Sequence, residues 1–157
     1  ALLAWGGQAY RRIGDRYYDE NGDCWMALTV TTTCYVPVVE QCNADPEHTA
    51  TMTKAYTTYG IAADPDAIPY GTVMRVPGYG EFKVDDTGKA MRRSWDQGVV
   101  HLDLRIPFQR FDGLWRDAAT CNRIARKHGV QEDRIVLVQV ECPVMAAVEA
   151  QGRSIAR

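Results

Sequence analysis

Alternating apolar and polar residues predict a mainly β protein from Cys24 onward. The run CWMALTVTTTCYVPVV is dense in the β-branched and aromatic residues that favour strands, and Pro37 bounds it. Between Tyr56 and Val84, short strand-like runs alternate with glycine and proline. Runs this short favour a small barrel over a sandwich of long strands or a βαβ fold. We therefore expect a small β-barrel.

Two further strands are predicted after residue 98, VVHLDLRI and RIVLVQVEC. Side chains alternate between the two faces of a strand, so the first of these has an apolar and a polar face. The apolar face carries Val100, Leu102 and Leu104, and the polar face carries His101, Asp103 and Arg105. Asp103 is therefore expected to point away from the apolar face of its own strand.

A single helix is predicted over QRFDGLWRDAATCNRIARKHG, residues 109–129. Its apolar residues recur at steps of three or four, which gives one core-facing stripe, and Gly129 is a typical helix end. The stripe consists of Phe111, Leu114, Trp115, Ala118, Cys121 and Ala125.

The chain of 157 residues is long enough for one domain with a real core. Residues 1–23 are interpreted as an N-terminal extension with a turn at DENGD, residues 24–142 as the barrel, and residues 143–157 as a C-terminal tail. The polar segment EQCNADPEHTATMTK is predicted to be a loop. A start at Ala1 instead of methionine fits a processed precursor.

Composition narrows the possible partners of the protein. A formal net charge of −2, with no basic stripe, argues against a nucleic-acid-binding surface. No apolar run approaches the roughly 18 to 20 residues of a membrane-spanning helix, which predicts no transmembrane segment.

Five cysteines indicate an oxidising compartment. They form neither a C-x-x-C pair nor a Cys/His spacing typical of zinc, so no metal is expected. Their number favours one or two disulfides and an extracytoplasmic location, which is the periplasm, the cell wall or the outside of the cell. Cys34 with Cys42 and Cys121 with Cys142 are the candidate pairs, and five reduced buried cysteines are the alternative.

Three aspartates stand where a strand meets a turn or on a polar strand face: Asp64, Asp86 and Asp103. They are candidates to converge on one rim of the barrel. In VDDTG, Asp86 shares strand parity with Val84, whereas Asp85 shares a face with Lys83. We interpret Asp85 as a solvated partner of Lys83.

These segments, in this order, resemble the 3D domain, a family named for its three aspartates. The resemblance lies in VTTTCY, in AADPDAIPYGTVMRVPGYG, in VDDTG and in LDLRI, and it spans residues 24–142. The family belongs with the double-psi β-barrels, beside the core of membrane-bound lytic transglycosylase A and the barrel of rare lipoprotein A. The resemblance implies a six-stranded double-psi β-barrel with one packed helix.

The resemblance also implies a reaction, the cleavage of the β-1,4 bond between N-acetylmuramic acid and N-acetylglucosamine in peptidoglycan. Lytic transglycosylases use the sugar's own C6 hydroxyl in place of water, form a 1,6-anhydro product and need no cofactor. Asp103 would be the acid and base, Asp86 the neighbouring charge that raises its pKa, and Asp64 a third residue that orients the site. Glycan strands of peptidoglycan would be the partner.

The sequence departs from the family after the Asp-Thr-Gly turn. Lys89 replaces a glycine, and MRRSWDQG lengthens the connection, which would line a substrate groove or cover the site. The candidate substrate-binding residues are Trp95, Tyr70, Arg92, Thr87 and Gly88. His101 is a second proton carrier, a metal ligand or simply hydrogen-bonded. The alternative function is a non-catalytic double-psi barrel that binds cell-wall glycan or serves as a component of an extracellular assembly with protein partners.

Overall fold

The computed structural model describes residues 2–42 and 44–143. Nine strands form one mixed sheet, accompanied by two helices, so the prediction of a mainly β protein is confirmed. The strands are β1 Leu2–Trp5, β2 Gln8–Ile13, β3 Arg16–Tyr18, β4 Cys24–Tyr35, β5 Ile61–Ala62, β6 Val73–Val76, β7 Gly80–Asp86, β8 His101–Arg105 and β9 Gln131–Val140. The helices are α1 Lys89–Asp96 and α2 Ala118–His128. Apart from Pro143, the predicted C-terminal tail lies outside the described residues.

The chain folds as two compact units, and the first combines residues 1–27 with residues 137–157. Its N-terminal part, predicted as an extension, forms an antiparallel meander of β1, β2 and β3 that continues onto the start of β4. The turn expected at DENGD is present, since the Gly22 amide donates to the Asp19 carbonyl at 3.1 Å. Tyr10 and Trp25 are buried, which gives this unit an aromatic core.

The second unit, residues 28–136, contains the polar segments singled out in the sequence. Strands β4 and β9 belong to this unit only in part. In the sheet the strands pair in the order β4-β8-β5-β7-β6-β9, and β9 also pairs with β4. The pairs β4–β8 and β5–β7 are parallel, while β5–β8 and β6–β7 are antiparallel. Leu102 and Leu104 of β8 are buried as the alternation predicted. This arrangement brings the ends of β7 and β8 to either side of the short strand β5.

The predicted helix over 109–129 is about half as long as expected, because α2 begins only at Ala118. The Asp117 side chain accepts a bond from the Thr120 amide at 2.7 Å, which is the bond that an N-cap residue makes. Before it, the chain turns through Gly113 at a φ of 82°, which interrupts a helix. Phe111, Leu114 and Trp115 are exposed, so the first half of the predicted stripe was wrong. Cys121 is buried and the helix ends at Gly129, as predicted.

The expectation of one helix was also wrong, since MRRSWDQG belongs largely to a second helix, α1, and not to a loop. Met91 is its single buried residue. At eight residues, the helix is shorter than the stretch of sequence over which a 3.6-residue period can be recognised.

The structure contains the disulfide Cys24–Cys142 in the first unit, with Cα atoms 5.3 Å apart. A disulfide was therefore predicted correctly, but both proposed pairs and the fully reduced alternative were wrong. Cys34, Cys42 and Cys121 are free. Cys121 packs with Val36 and Ile106 in an apolar cluster, where it serves as a small hydrophobic residue.

Candidate functional site

Asp86 and Asp103 line one cavity of about 90 Å³, which we call the aspartate cavity. Asp86 is the last residue of β7, and Asp103 is the central residue of β8. Thr87 and Gly88, the two residues that lead from β7 into α1, line the same cavity. Four of the candidate residues from the sequence are thus placed around one space.

Asp103 is buried in a way that favours its protonated form. Burial raises the pKa of Asp103 to about 6; the bond from Thr33 lowers it, and the nearby charge of Asp86 raises it. That bond runs from the Thr33 hydroxyl to Asp103 Oδ1 at 2.8 Å. Burial is therefore the main cause of the shift, and the like charge of Asp86, which the sequence suggested, is a smaller one.

A chain of hydrogen bonds leads away from Asp103 through Thr33 to His101. His101 Nε2 lies 2.7 Å from Thr33 Oγ1, and His101 Nδ1 lies 3.2 Å from the Ser94 hydroxyl. Each hydroxyl can both donate and accept, so the chain stays satisfied whether Asp103 carries a proton or not. Burial lowers the pKa of His101, against the effect of a backbone bond with Ala90. The arrangement keeps Asp103 in one orientation through a change of protonation.

The carboxylate of Asp86 is held by three hydrogen bonds. Oδ1 accepts from the amides of Ala50 at 3.0 Å and Thr87 at 2.9 Å, and Oδ2 accepts from the Tyr35 hydroxyl at 2.7 Å. Bonds from a strand, a loop and the start of a helix fix its position on the cavity wall. Asp86 is thus positioned more firmly than Asp103.

The interpretation of Asp85 as a solvated partner of Lys83 was wrong. Asp85 is buried, and its two oxygens accept from Nη1 and Nη2 of Arg105 at 2.8 and 2.7 Å. Arg105 is fully buried, and although burial alone would lower its pKa, the bonds to Asp85 and Tyr35 raise it. A buried guanidinium requires a counter-charge, and strand parity cannot reveal which carboxylate supplies it.

This ion pair connects to the aspartate cavity through Tyr35. Arg105 Nη1 donates to the Tyr35 hydroxyl at 3.2 Å, and that hydroxyl donates to Asp86. Gly60 leaves room for the pair, since a Cβ there would meet both Arg105 Nη2 and the Asp85 carboxylate. Asp85, which looked like a bystander, therefore supports the position of Asp86.

The Thr87 hydroxyl is buried and lacks a hydrogen-bond partner within the part of the chain that the structure describes. Buried polar groups are nearly always paired, so this hydroxyl is an exception. Gly88, the next residue, is extended, and no side chain caps α1.

The other candidate residues lie elsewhere. Asp64 is buried, but its Oδ1 accepts from the Asp66 amide at 2.8 Å, which is a local turn contact. Asp64 is not among the described residues that line the aspartate cavity, and neither are Tyr70, Arg92 and Trp95. Tyr70, Arg92 and Trp95 are all exposed.

Sequence reasoning missed the contribution of the polar loop before Tyr56. Gln41, Cys42 and His48 line the aspartate cavity, together with Tyr35 and Met91. Burial raises the pKa of the Cys42 thiol to about 11, and the charge of Asp86 raises it further. The loop has no periodicity, so nothing in its sequence indicates which of its side chains face inward.

No family model matches the sequence, and no curated protein is significantly similar to it. Among residues 2–42 and 44–143, no group of three or more His, Cys, Asp or Glu side chains is arranged to hold a metal ion. Neither described helix is long and apolar enough to cross a membrane.

Proposed function

We propose that this protein cleaves the β-1,4 bond between N-acetylmuramic acid and N-acetylglucosamine as a lytic transglycosylase, with Asp103 as the single acid and base. The observation that carries the proposal is the placement of Asp103 beside Asp86 in one cavity, with its pKa raised to about 6. The resemblance to the 3D domain supplies the reaction class.

The pairing of the strands supports a double-psi β-barrel as the scaffold. The order β4-β8-β5-β7-β6-β9 returns to its start through the pairing of β9 with β4, as a closed six-stranded barrel requires. Two parallel pairs mixed with antiparallel ones, in an order far from that of the sequence, agree with the crossed connections of that fold.

The reaction needs one carboxyl group that acts twice. The protonated Asp103 donates its proton to the glycosidic oxygen as the C1–O bond breaks, which leaves a positive, oxocarbenium-like sugar. The C6 hydroxyl of the same sugar then bonds to C1, and the Asp103 carboxylate takes the hydroxyl proton. Neither water nor a protein nucleophile is consumed, and Asp103 ends as it began.

The neighbours of Asp103 fit these two steps. The Asp86 carboxylate, fixed by its three hydrogen bonds, favours positive charge developing in the cavity. Thr33 and His101 hold Asp103 both before and after it gives up its proton. The disulfide favours an oxidising compartment outside the cytoplasm, where peptidoglycan lies.

Digestion of purified peptidoglycan, with mass spectrometry of the soluble products, tests the proposal. Wild type is expected to release 1,6-anhydro muropeptides and Asp103→Asn none, because an amide cannot supply the proton. Glu132→Gln, which removes the same charge from an exposed position on β9, is the matched control and should release as much as wild type. A wild type that releases none, or an Asp103→Asn variant that releases as much, refutes the enzyme.

A non-catalytic glycan-binding barrel is the second candidate, favoured by the firm hydrogen bonding of Asp86, which would suit a structural role equally well. The same material separates the two functions. If wild type sediments with peptidoglycan but releases no muropeptide, the protein binds glycan without cleaving it.

A further inference from the structure

A second, larger cavity of about 700 Å³ lies between α2 and strands of the second unit, and we call it the α2 cavity. It shares no lining residue with the aspartate cavity. Its apolar wall includes Leu104 and Ile106, both buried, and Ile124 of α2. The volume lies in the range of roughly 300 to 1,000 Å³ that is usual for sites of small organic ligands.

Two permanent cations line this cavity, Lys127 near the end of α2 and Arg134 of β9. Neither forms an ion pair with a carboxylate among the described residues. Arg134 Nη2 donates to the Pro77 carbonyl at 3.0 Å, which fixes its guanidinium at the cavity. No described Asp or Glu lines the space, so the positive charge there is not balanced by the cavity wall.

His128 is a third basic side chain at this cavity. It lines the α2 cavity, and its Nε2 lies 2.9 Å from the buried Thr32 hydroxyl. Burial lowers the pKa of His128, and the charge of Arg134 lowers it further. The charge of Arg134 therefore disfavours the protonated form of His128, and a bound anion would favour it.

We propose that the α2 cavity binds a small organic anion that carries a hydrocarbon group. The carboxylate of such a ligand would lie against Lys127 and Arg134, and its chain would lie along Leu104, Ile106 and Ile124. A neutral sugar would leave both cations unpaired and would place hydroxyl groups on an apolar wall. A simple inorganic anion would leave that wall exposed to water. The site is independent of the proposed glycan cleavage.

Calorimetric titration with octanoate tests this site, with acetate and octanamide as ligands that lack the chain or the charge. Octanoate is expected to bind wild type at least about tenfold more tightly than either control ligand, because only octanoate uses both parts of the site. Equal affinity for octanamide or for acetate would overturn the proposal, as would no binding of octanoate.

Substitutions locate the binding. Lys127→Gln and Arg134→Gln should each weaken octanoate by about tenfold, the usual loss of one charge-assisted contact. Arg126→Gln is the matched control, because Arg126 is the neighbouring exposed cation on α2 and does not line the cavity. Lys127 is exposed, so its variant is expected to keep the wild-type unfolding temperature. An equal loss in Lys127→Gln and Arg126→Gln would show binding to the general charge of the helix and refute the site.

Discussion

At the scale of single residues, the protonation of Asp103 links the proposed chemistry to stability. A carboxyl whose folded pKa lies above its unfolded value loses stability as pH rises between the two values. For Asp103 the folded pKa is about 6 and the unfolded pKa is 3.8. This difference lowers the free energy of unfolding at neutral pH by an amount on the order of 3 kcal/mol. Asp103→Asn removes this cost and can keep the bond from Thr33. We therefore expect the inactive variant to be more stable than wild type above about pH 6, by up to that amount.

Urea denaturation at about pH 4 and about pH 7.5 measures this effect. The gain in free energy of unfolding should be large at the higher pH and small at the lower one, where Asp103 is protonated in the folded state and only partly ionised in the unfolded state. Glu40→Gln removes a charge from an exposed position and should show no such pH dependence. A gain of the same size at both pH values would contradict a raised pKa at Asp103.

Thr33 adjusts the same equilibrium, because its hydroxyl bonds to the Asp103 carboxylate and lowers the pKa that burial raises. Thr33→Val keeps the shape of the side chain and removes the bond. The pKa of Asp103 is then expected to rise above about 6. An NMR titration of the Asp103 carboxyl carbon measures this pKa directly. The pH above which muropeptide release declines should rise together with the pKa.

Thr31→Val is the control for this substitution, since Thr31 lies two residues earlier on the same face of β4 and pairs with His101 in the sheet. It should leave the titration of Asp103 where it is in wild type. If Thr33→Val leaves the titration of Asp103 unchanged or lowers its pKa, the hydrogen bond does not hold the ionised form.

At the scale of elements, the Asp85–Arg105 pair joins β7 to β8 across the short strand β5. Asp85→Asn would leave a fully buried guanidinium without its counter-charge, which typically costs about 3 to 5 kcal/mol. We expect a free energy of unfolding lower by that amount, measured by urea denaturation at neutral pH. Glu81→Gln, which breaks the more exposed Arg75–Glu81 pair on the neighbouring hairpin, should cost no more than about 1 kcal/mol. Equal losses in the two variants would mean that the buried pair contributes no more than the surface pair.

Elements with a strong internal period could be predicted, and elements fixed by single contacts could not. The alternation in β8 predicted its buried leucines, and Gly129 predicted the end of α2. The start of α2 depends on whether Asp117 caps a helix or continues one, and the apolar spacing of Phe111 and Trp115 fits both. Helix α1 buries only Met91 and has eight residues, too few for a helical period to be recognised in the sequence.

The residues of the candidate site also include some that the sequence could predict and others that it could not. Asp86, Thr87 and Asp103 could be identified because each stands in a short motif at the end or on the polar face of a strand. The partner of Arg105 and the cavity-lining side chains of the polar loop depend on contacts between distant segments. Strand parity fixes the face of a residue but not whether another element covers that face. Asp85 was therefore misinterpreted for a reason that a single sequence does not reveal.

At the scale of the whole molecule, amino-acid composition predicted that a disulfide is present but not which cysteines form it. Five cysteines predicted a disulfide, but its partners, Cys24 and Cys142, are 118 residues apart in sequence. The predicted pairs joined cysteines that are closer together in the sequence. Pairing requires only that two Cα atoms come within about 7 Å in the fold. Cys24 is the first residue of β4, and Cys142 follows the end of β9 by two residues.

The arrangement of thiols gives the last prediction. Alkylation of the protein unfolded in denaturant without reductant should add three groups, one each at Cys34, Cys42 and Cys121, and alkylation after reduction should add five. The intact mass gives the number of added groups, and a non-reducing peptide map should contain the Cys24–Cys142 pair.

The disulfide is also expected to stabilise the protein. Cross-linking residues this far apart removes a large loop entropy from the unfolded chain, so reduction should lower the free energy of unfolding by up to about 4 to 5 kcal/mol. A Cys24→Ser/Cys142→Ser variant should lose the same stability without reductant and show no further loss with it. Five added groups before reduction, or a linked peptide that contains Cys121, would contradict the pairing and remove the support it gives to an oxidising compartment.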